Sequence, residues 1–172
     1  MFKVLRNVED VEDVEDVEGV EGILYIALFL NVLSLLNTLN IPNMYTYAFE
    51  KLDVWQRGRE LNKQVYDLSK LLPNDEKFGI TSQIRRASIS VTCNLAEGSG
   101  RTKGKEQARF SEIAYSSLME VLNLLITCVD LNYIQQLEID KIRPLIGEIS
   151  HKVNALRISQ LKKHLQQKAA KG

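Results

Sequence analysis

The sequence predicts an all-α protein whose main domain is an antiparallel, up-down-up-down four-helix bundle. Apolar residues recur at steps of three and four in four segments after Met44, which is the helical period. The connections between these segments are short, and no alternating run of β-branched residues is bounded by turns. The chain has 172 residues, enough for one domain with its own core.

The first amphipathic segment, FEKLDVWQRGRELNKQVYDLSKLL, occupies residues 49–72 and stops before Pro73. The second runs from about Thr81 to Glu97, with Thr81 as the expected N-cap. We expect Gly98 and Gly100 to end it, because glycine adopts a left-handed C-cap conformation at little cost.

The third helix is expected from about Lys105 to Leu131, and the fourth from near Gln135 or from Pro144, a residue suited to a first helical turn. The third helix carries two apolar stripes, and a helix that is apolar on two faces needs neighbours on both. We expect one small bundle to cover only part of them, which predicts oligomerisation. The stripes are Phe110, Ala114, Ser117, Val121, Leu124, Cys128 and Leu131, and Leu118, Leu122, Leu125 and Val129.

Residues 1–43 differ from the rest of the chain. Residues 1–22 contain a Val-Glu-Asp repeat that fits neither helix nor strand, so this acidic segment is expected to be disordered. Residues 23–43 are apolar, and the part from 23 to 41 is uncharged over about 19 residues, just enough to span a bilayer. Either translation starts at Met44 and residues 1–43 are an upstream extension, or 23–41 are a membrane anchor or an interfacial or partner-binding helix. N-terminal sequencing of the natural product distinguishes these alternatives.

The formal charge of zero hides an asymmetry. Residues 1–43 hold two basic and eight acidic residues, a net charge of −6, whereas residues 44–172 hold 20 basic and 14 acidic residues, a net charge of +6. An anionic partner is therefore plausible for the main domain. Cys93 and Cys128 lie in separate apolar patterns and are expected to be reduced, as in a cytoplasmic protein. His151 and His164 have no ligand partner at suitable spacing, so we expect no metal and no cofactor.

The stretch NLAEGSGRTKGKEQARF, residues 94–110, connects the second and third helices and crowds four basic residues together: Arg101, Lys103, Lys105 and Arg109. It is not a phosphate-binding P-loop, because the glycine spacing and the preceding strand are lacking. The charges are either a solvated helix entry or a rim that contacts the phosphates of RNA or DNA. We expect Glu97 and Arg101 to close this turn with a salt bridge.

Asn94 and Glu120 lie on or beside apolar stripes of two different helices. A buried carboxylate needs a partner, which Arg85 or Arg86 could supply. Together with Glu97, these residues are expected to form a structural polar network. The alternative role, as general acid or base, lacks a second carboxylate, a serine nucleophile or a histidine in a suitable arrangement, so we expect no enzyme.

The strings FEKLDVWQ, SQIRRASISVTCNLAEGSGR and ARFSEIAYSSLMEVLNLL resemble the four-helix bundle proteins of 23S ribosomal RNA intervening sequences. The accessory variability determinants of diversity-generating retroelements are related to these proteins. The resemblance covers about Tyr47 to Ile158. It implies a homopentameric barrel and nucleic-acid association, with a reverse transcriptase as partner in the retroelement branch.

The residues carried over from this resemblance are Arg85, Arg86, Asn94, Glu97, Gly98, Arg101, Phe110 and Glu120. The chain departs from the family pattern at Val91, where proline is frequent, and at Tyr115-Ser116, which replaces a pair of small residues. The resulting hypothesis is a homo-oligomeric accessory protein that binds RNA, DNA or a nucleic-acid enzyme, and the alternative is a scaffold for protein partners. The candidate nucleic-acid-binding residues are Arg85, Arg86, Arg101, Lys103, Lys105 and Arg109.

Overall fold

The computed structural model describes residues 25–32 and 45–169, and divides the chain into two units, Met1–Tyr45 and Thr46–Gly172. In the first unit, residues 25–32 are helical (α1) and their side chains are exposed. The expectations for residues 1–22, and for most of the apolar segment 23–43, lie outside the described residues.

The second unit is built from four long helices: α2 (Asp53–Leu68), α3 (Ile80–Ser99), α4 (Gly104–Asp130) and α5 (Gln136–Ala169). Short 3-10 helices cover Ala48–Lys51, Ser69–Leu71 and Asn74–Lys77. The described residues contain no β-strand, so the predicted all-α class is confirmed. The expected bounds of the second and third segments differ from α3 and α4 by no more than two residues at either end.

The first segment is less regular than its apolar pattern suggests. Leu52 adopts an extended conformation with ψ of 116°, which separates the first 3-10 helix from α2. The expected N-cap of α3 was also wrong, because Thr81 is buried inside the helix and Gly79 occupies the cap position. The carboxylate of Glu76 instead accepts the backbone N–H of Ile80 at 2.9 Å.

The glycines at the end of α3 do not act as expected. Gly100 has φ of −79°, in the right-handed region, and Gly98 lies inside the helix. A left-handed glycine cap is therefore absent from this described turn. Gly98 is buried against α4, where an added Cβ would lie 2.8 Å from Cβ of Phe110. Its small size is needed for helix packing rather than for chain reversal.

Helix α5 begins at Gln136, so the start near Gln135 is confirmed and the start at Pro144 is wrong. Pro144 lies within the helix and cannot donate to the carbonyl of Asp140. Both residues are exposed, so water can hydrogen-bond to that carbonyl.

The helices share one apolar core, in which α3 packs beside α2 and α4, and α5 packs beside α4 and α2. Both stripes of α4 contribute to this core, because α3 and α5 cover different faces of the helix. One protomer buries most of the two stripes, but Phe110, Leu122 and Val129 are only partly buried and Leu131 is exposed. The expected oligomerisation therefore stays a prediction. The largest fully buried side chains include Leu61, Ile84, Leu118, Leu125, Ile139 and Ile149.

Polar contacts between neighbouring helices fix their alignment. Along each pair, residue numbers rise on one helix as they fall on the other. Arg85 Nε of α3 donates to Ser69 Oγ just after α2 at 2.8 Å, and Asn62 Nδ2 of α2 donates to Thr92 Oγ1 of α3 at 3.2 Å. Between α3 and α4, Ser90 Oγ lies 2.9 Å from Ser117 Oγ. Between α4 and α5, Ser111 Oγ donates to Gln160 Oε1 at 2.7 Å.

An ion-pair cluster joins α2 to α5. Arg57 donates through Nε and Nη2 to Oε2 of Glu148, at 3.0 and 2.5 Å, and Lys152 pairs with both Asp53 and Glu148. The hydrogen bond from Arg57 is the main reason that the pKa of Glu148 is lowered from its ordinary value. Because these side chains are about one-third or more exposed, the cluster contributes more to helix alignment than to stability.

Among the described residues, α4 is the one helix long and apolar enough to cross a membrane by length and composition. The same composition is required of a helix that packs against both α3 and α5.

We predict that Gly104→Ala lowers the free energy of unfolding by about 1–3 kcal/mol, measured by urea denaturation. Gly104 begins α4, and an added Cβ would overlap the Gln160 carbonyl oxygen and lie 2.9 Å from the His164 backbone nitrogen. Backbone atoms cannot move aside as a flexible side chain can.

The control is Gly147→Ala in α5, where nothing lies within 4 Å of the added Cβ. It should raise stability by roughly 0.5–1 kcal/mol. Equal effects would contradict the close approach at Gly104.

We predict that stability falls as the pH rises above 9 and that Cys128 causes part of the fall. Burial raises the pKa of its thiol from 9.0 to about 11. Between these values the unfolded chain releases the proton while the folded chain retains it, so the stabilisation present below pH 9 is lost. Denaturation curves of the native chain and Cys128→Ala should diverge by up to about 2 kcal/mol across this range. Parallel curves would refute this origin.

Candidate nucleic-acid interface

The turn between α3 and α4 displays four cationic side chains, here called the basic corner: Arg101, Lys103, Lys105 and Arg109. All four are exposed. Hydrogen bonds hold the backbone between them. The N–H of Arg101 donates to the Gly98 carbonyl at 3.1 Å, and the Arg101 carbonyl accepts from Nε2 of Gln107 at 2.6 Å. The Lys103 carbonyl accepts two N–H groups of the first turn of α4. The corner therefore presents its charges from an ordered turn.

The salt bridge expected between Glu97 and Arg101 is not formed. The guanidinium of Arg101 lies 4.7 Å from the ring centroid of Phe110, as a cation–π contact. Glu97 is exposed and forms no ion pair with any described residue. The reason is geometric, because Gly98 allows Phe110 to approach the end of α3, where Arg101 can cover its ring.

The C-terminal part of α5, residues 157–169, here called the α5 arm, adds further cations. The chain contains no acidic residue after Glu148. The close approach of Gly104 to Gln160 and His164 places the arm beside the basic corner. Its exposed lysines form no ion pair with described residues: Lys162, Lys163 and Lys168. The acid-free run was visible in the sequence, but its proximity to the corner was not.

A groove of about 500 Å³ lies between the first turns of α4 and the α5 arm, here called the α4–α5 groove. Its cations are Lys105, Arg109 and Arg157, and its apolar part is formed by Ala108 and Leu161. Two carboxylates, from Glu106 and Glu112, also line it. Arg157 Nη2 lies 3.6 Å from Glu112 Oε1. Arg157 is not among the residues that the sequence pattern predicts for this surface.

Arg85 and Arg86 are not part of the basic corner. Arg86 precedes the end of α3 by thirteen residues, a separation of about 20 Å along the helix. Arg85 is half-buried, donates to Ser69 Oγ at 2.8 Å and covers the ring of Tyr66 at 5.0 Å. The structure gives Arg85 a role in joining α3 to α2, while Arg86 is exposed.

Asn94 is hydrogen-bonded to a residue one turn earlier on its own helix. Its Nδ2 donates to the carbonyl and hydroxyl oxygens of Ser90, at 2.8 and 3.0 Å, and Ser90 contacts Ser117 of α4. Glu120 is exposed and has no ion pair with a described residue, so neither Arg85 nor Arg86 is its partner. The Glu120 side chain lies beside the apolar stripes but is exposed to solvent, so its carboxylate needs no buried partner.

Within the described part of the chain, no group of three or more His, Cys, Asp or Glu side chains could hold a metal ion. Cys93 is exposed, Cys128 is buried, and neither forms a disulfide.

Comparison with known proteins identifies one family. The family model described as 23S rRNA-intervening sequence protein matches residues 50–155, more than half of the chain. The matched region contains the basic corner and ends just before the α5 arm. No curated protein matches the chain.

Proposed function

The chain belongs to the 23S rRNA-intervening sequence protein family, and we propose that it is a homo-oligomeric, non-enzymatic accessory protein that binds RNA or DNA. In this proposal the basic corner and the α5 arm contact the phosphate backbone. The bound nucleic acid could also bring the protein to an enzyme such as a reverse transcriptase. The protein acts in the cytoplasm, unless residues 23–41 anchor it in a membrane.

The observation that carries the proposal is the exposed positive charge of the corner and arm. Apart from Arg157, which pairs with Glu112, none of these side chains is in an ion pair with a described residue, so each can replace a counterion on a phosphate. Glu106 is the acidic residue closest to the corner in sequence. The side chains are Arg101, Lys103, Lys105, Arg109, Lys162, Lys163 and Lys168.

The helix contacts support an up-down-up-down four-helix bundle as the protomer. Each of α2 to α5 packs beside two of the others, and the numbering of the contacting residues runs in opposite directions along each pair. The short turns at Gly100–Lys103 and Leu131–Gln135 suit helices that reverse direction.

Oligomerisation is supported by an exposed apolar stripe on the α5 arm. Ile158 and Leu165 lie seven residues apart on one helical face and are 55 and 64% exposed. Such a stripe is typical of a surface that contacts another chain. A homopentamer, as the family resemblance implies, would repeat the basic corner and raise the affinity for a long polyanion through multivalency. The same stripe also supports the second candidate function, a scaffold that binds a protein partner without nucleic acid.

We predict a pentamer for the full-length chain, with five times the protomer mass of 19.6 kDa by light scattering. Leu165→Glu places a charge on the exposed stripe and should reduce the mass of the assembly. The matched control is Leu137→Glu, an equally exposed leucine at the opposite end of α5. A monomeric native chain would refute the oligomeric part of the proposal.

We predict that reversing three charges of the corner, with Arg101→Glu, Lys103→Glu and Lys105→Glu, abolishes retention of a short single-stranded RNA at moderate salt. For the native chain, the logarithm of the binding constant should fall linearly with the logarithm of salt concentration. Each phosphate contact removed should lower that slope by roughly 0.7–0.9. Fluorescence anisotropy measures both quantities.

The control carries the same change of net charge elsewhere: Lys63→Glu, Lys77→Glu and Arg143→Glu. These residues are exposed and lie away from the corner. Equal loss in both triple variants would indicate a nonspecific effect of net charge. Unchanged binding after reversal of the corner would remove the corner from the proposal and favour the scaffold.

A further inference from the structure

We infer that the α4–α5 groove binds one unpaired nucleotide base, so that the nucleic acid held at the basic corner is single-stranded at that point. This inference rests on the proposed function and specifies its ligand. It is carried by the shape of the groove, by the combination of groups that line it, and by its continuity with the corner.

The size of the groove suits a nucleotide. Its volume of about 500 Å³ lies within the range of roughly 300–1,000 Å³ that is usual for small-ligand sites. A base in a duplex is stacked between its neighbours and cannot enter such a recess, so a duplex would offer only its phosphates. An unpaired base can be turned out of the strand and inserted.

The lining combines an apolar surface with planar cations. Ala108 is buried, and Leu161 is 38% exposed, so these two residues offer an apolar wall to one face of a ring. The guanidinium groups of Arg109 and Arg157 can stack on a base in a way that a lysine ammonium cannot. Lys105 supplies a compact charge for a phosphate.

The two carboxylates argue against a simple anion as the ligand. Glu106 and Glu112 line the groove together with the cations, and they would repel an isolated phosphate or an acidic peptide. A carboxylate can, however, accept a hydrogen bond from the amino group of cytosine. Glu112 also lies 3.6 Å from Arg157, which limits the free positive charge inside the groove. A nucleotide whose base lies inside the groove and whose phosphate lies outside it is compatible with both the carboxylates and the cations of the lining.

The groove continues directly from the corner, because Lys105 and Arg109 belong to both. A strand whose phosphates contact Lys103 and Lys105 therefore passes the mouth of the groove. The α5 arm, with Lys162 and Lys163, adds charge on the same side of α4 as the close approach at Gly104. One nucleotide of such a strand can enter the groove while the phosphates on either side stay at the surface.

The test compares three probes on the full-length chain at one salt concentration: an oligodeoxycytidine, an abasic strand of equal length and charge, and the duplex of the same length. We expect the oligodeoxycytidine to bind at least about fivefold more tightly than the abasic strand, because one stacked base contributes at least that factor. Arg109→Lys keeps the charge but removes the planar group, and should reduce this ratio severalfold without changing the salt slope. Arg143→Lys, an exposed arginine outside the groove, should leave the ratio unchanged.

Equal affinity for the oligodeoxycytidine and abasic strands would overturn the inference while leaving phosphate binding at the corner intact. Tighter binding of the duplex would also overturn it. A base-dependent ratio that Arg109→Lys does not alter would place the base elsewhere and refute the groove as the site. Absence of binding to all three probes and to the single-stranded RNA would refute the proposed function itself.

Discussion

The N-terminal end of α4 packs closely against both of its neighbours, and the candidate site depends on this packing. Gly98 of α3 lies against Phe110, and Gly104 lies against the backbone of α5 at Gln160 and His164. A side chain at either glycine would force the helices apart. The close packing places Phe110 under Arg101 and brings the α5 arm beside the basic corner. Charges from the α3–α4 turn, α4 and α5 thereby share one surface.

The distribution of polar groups is consistent with this arrangement. Among the described residues, the core contains small hydroxyl side chains such as Ser88, Ser111 and Ser117, which are hydrogen-bonded locally or across helices, and no ionised residue. The charged clusters lie outside it. On α5 the last acidic residue is Glu148, which pairs with Arg57 and Lys152, and the charged residues that follow it are positive. The α5 arm, which extends beyond the core, is therefore the part of α5 that can attract a polyanion.

Sequence patterns predicted the helices well where burial decides the structure. Most of the α4 stripes and one stripe of α3, with Ile84, Val91 and Leu95, are buried, and the ends of both helices were placed within two residues. Patterns failed where local chemistry was ambiguous. Pro144 can start a helix or be tolerated on its exposed face, and Gly98 can end a helix or allow close packing. Glu120 lies near an apolar stripe in sequence, but its side chain is exposed to solvent.

The sequence by itself determined the all-α class, the core faces of α3 and α4, and the four cations of the corner, because helical periodicity and composition are local properties. Only the tertiary structure decided that Arg101 pairs with Phe110 rather than Glu97, and that Arg85 joins α2. It also decided that Arg157 faces Arg109 and Lys105 across a groove. These outcomes depend on which side chains come into contact between helices. The distance between the helices, which is short where a glycine lies at the contact, decides those contacts.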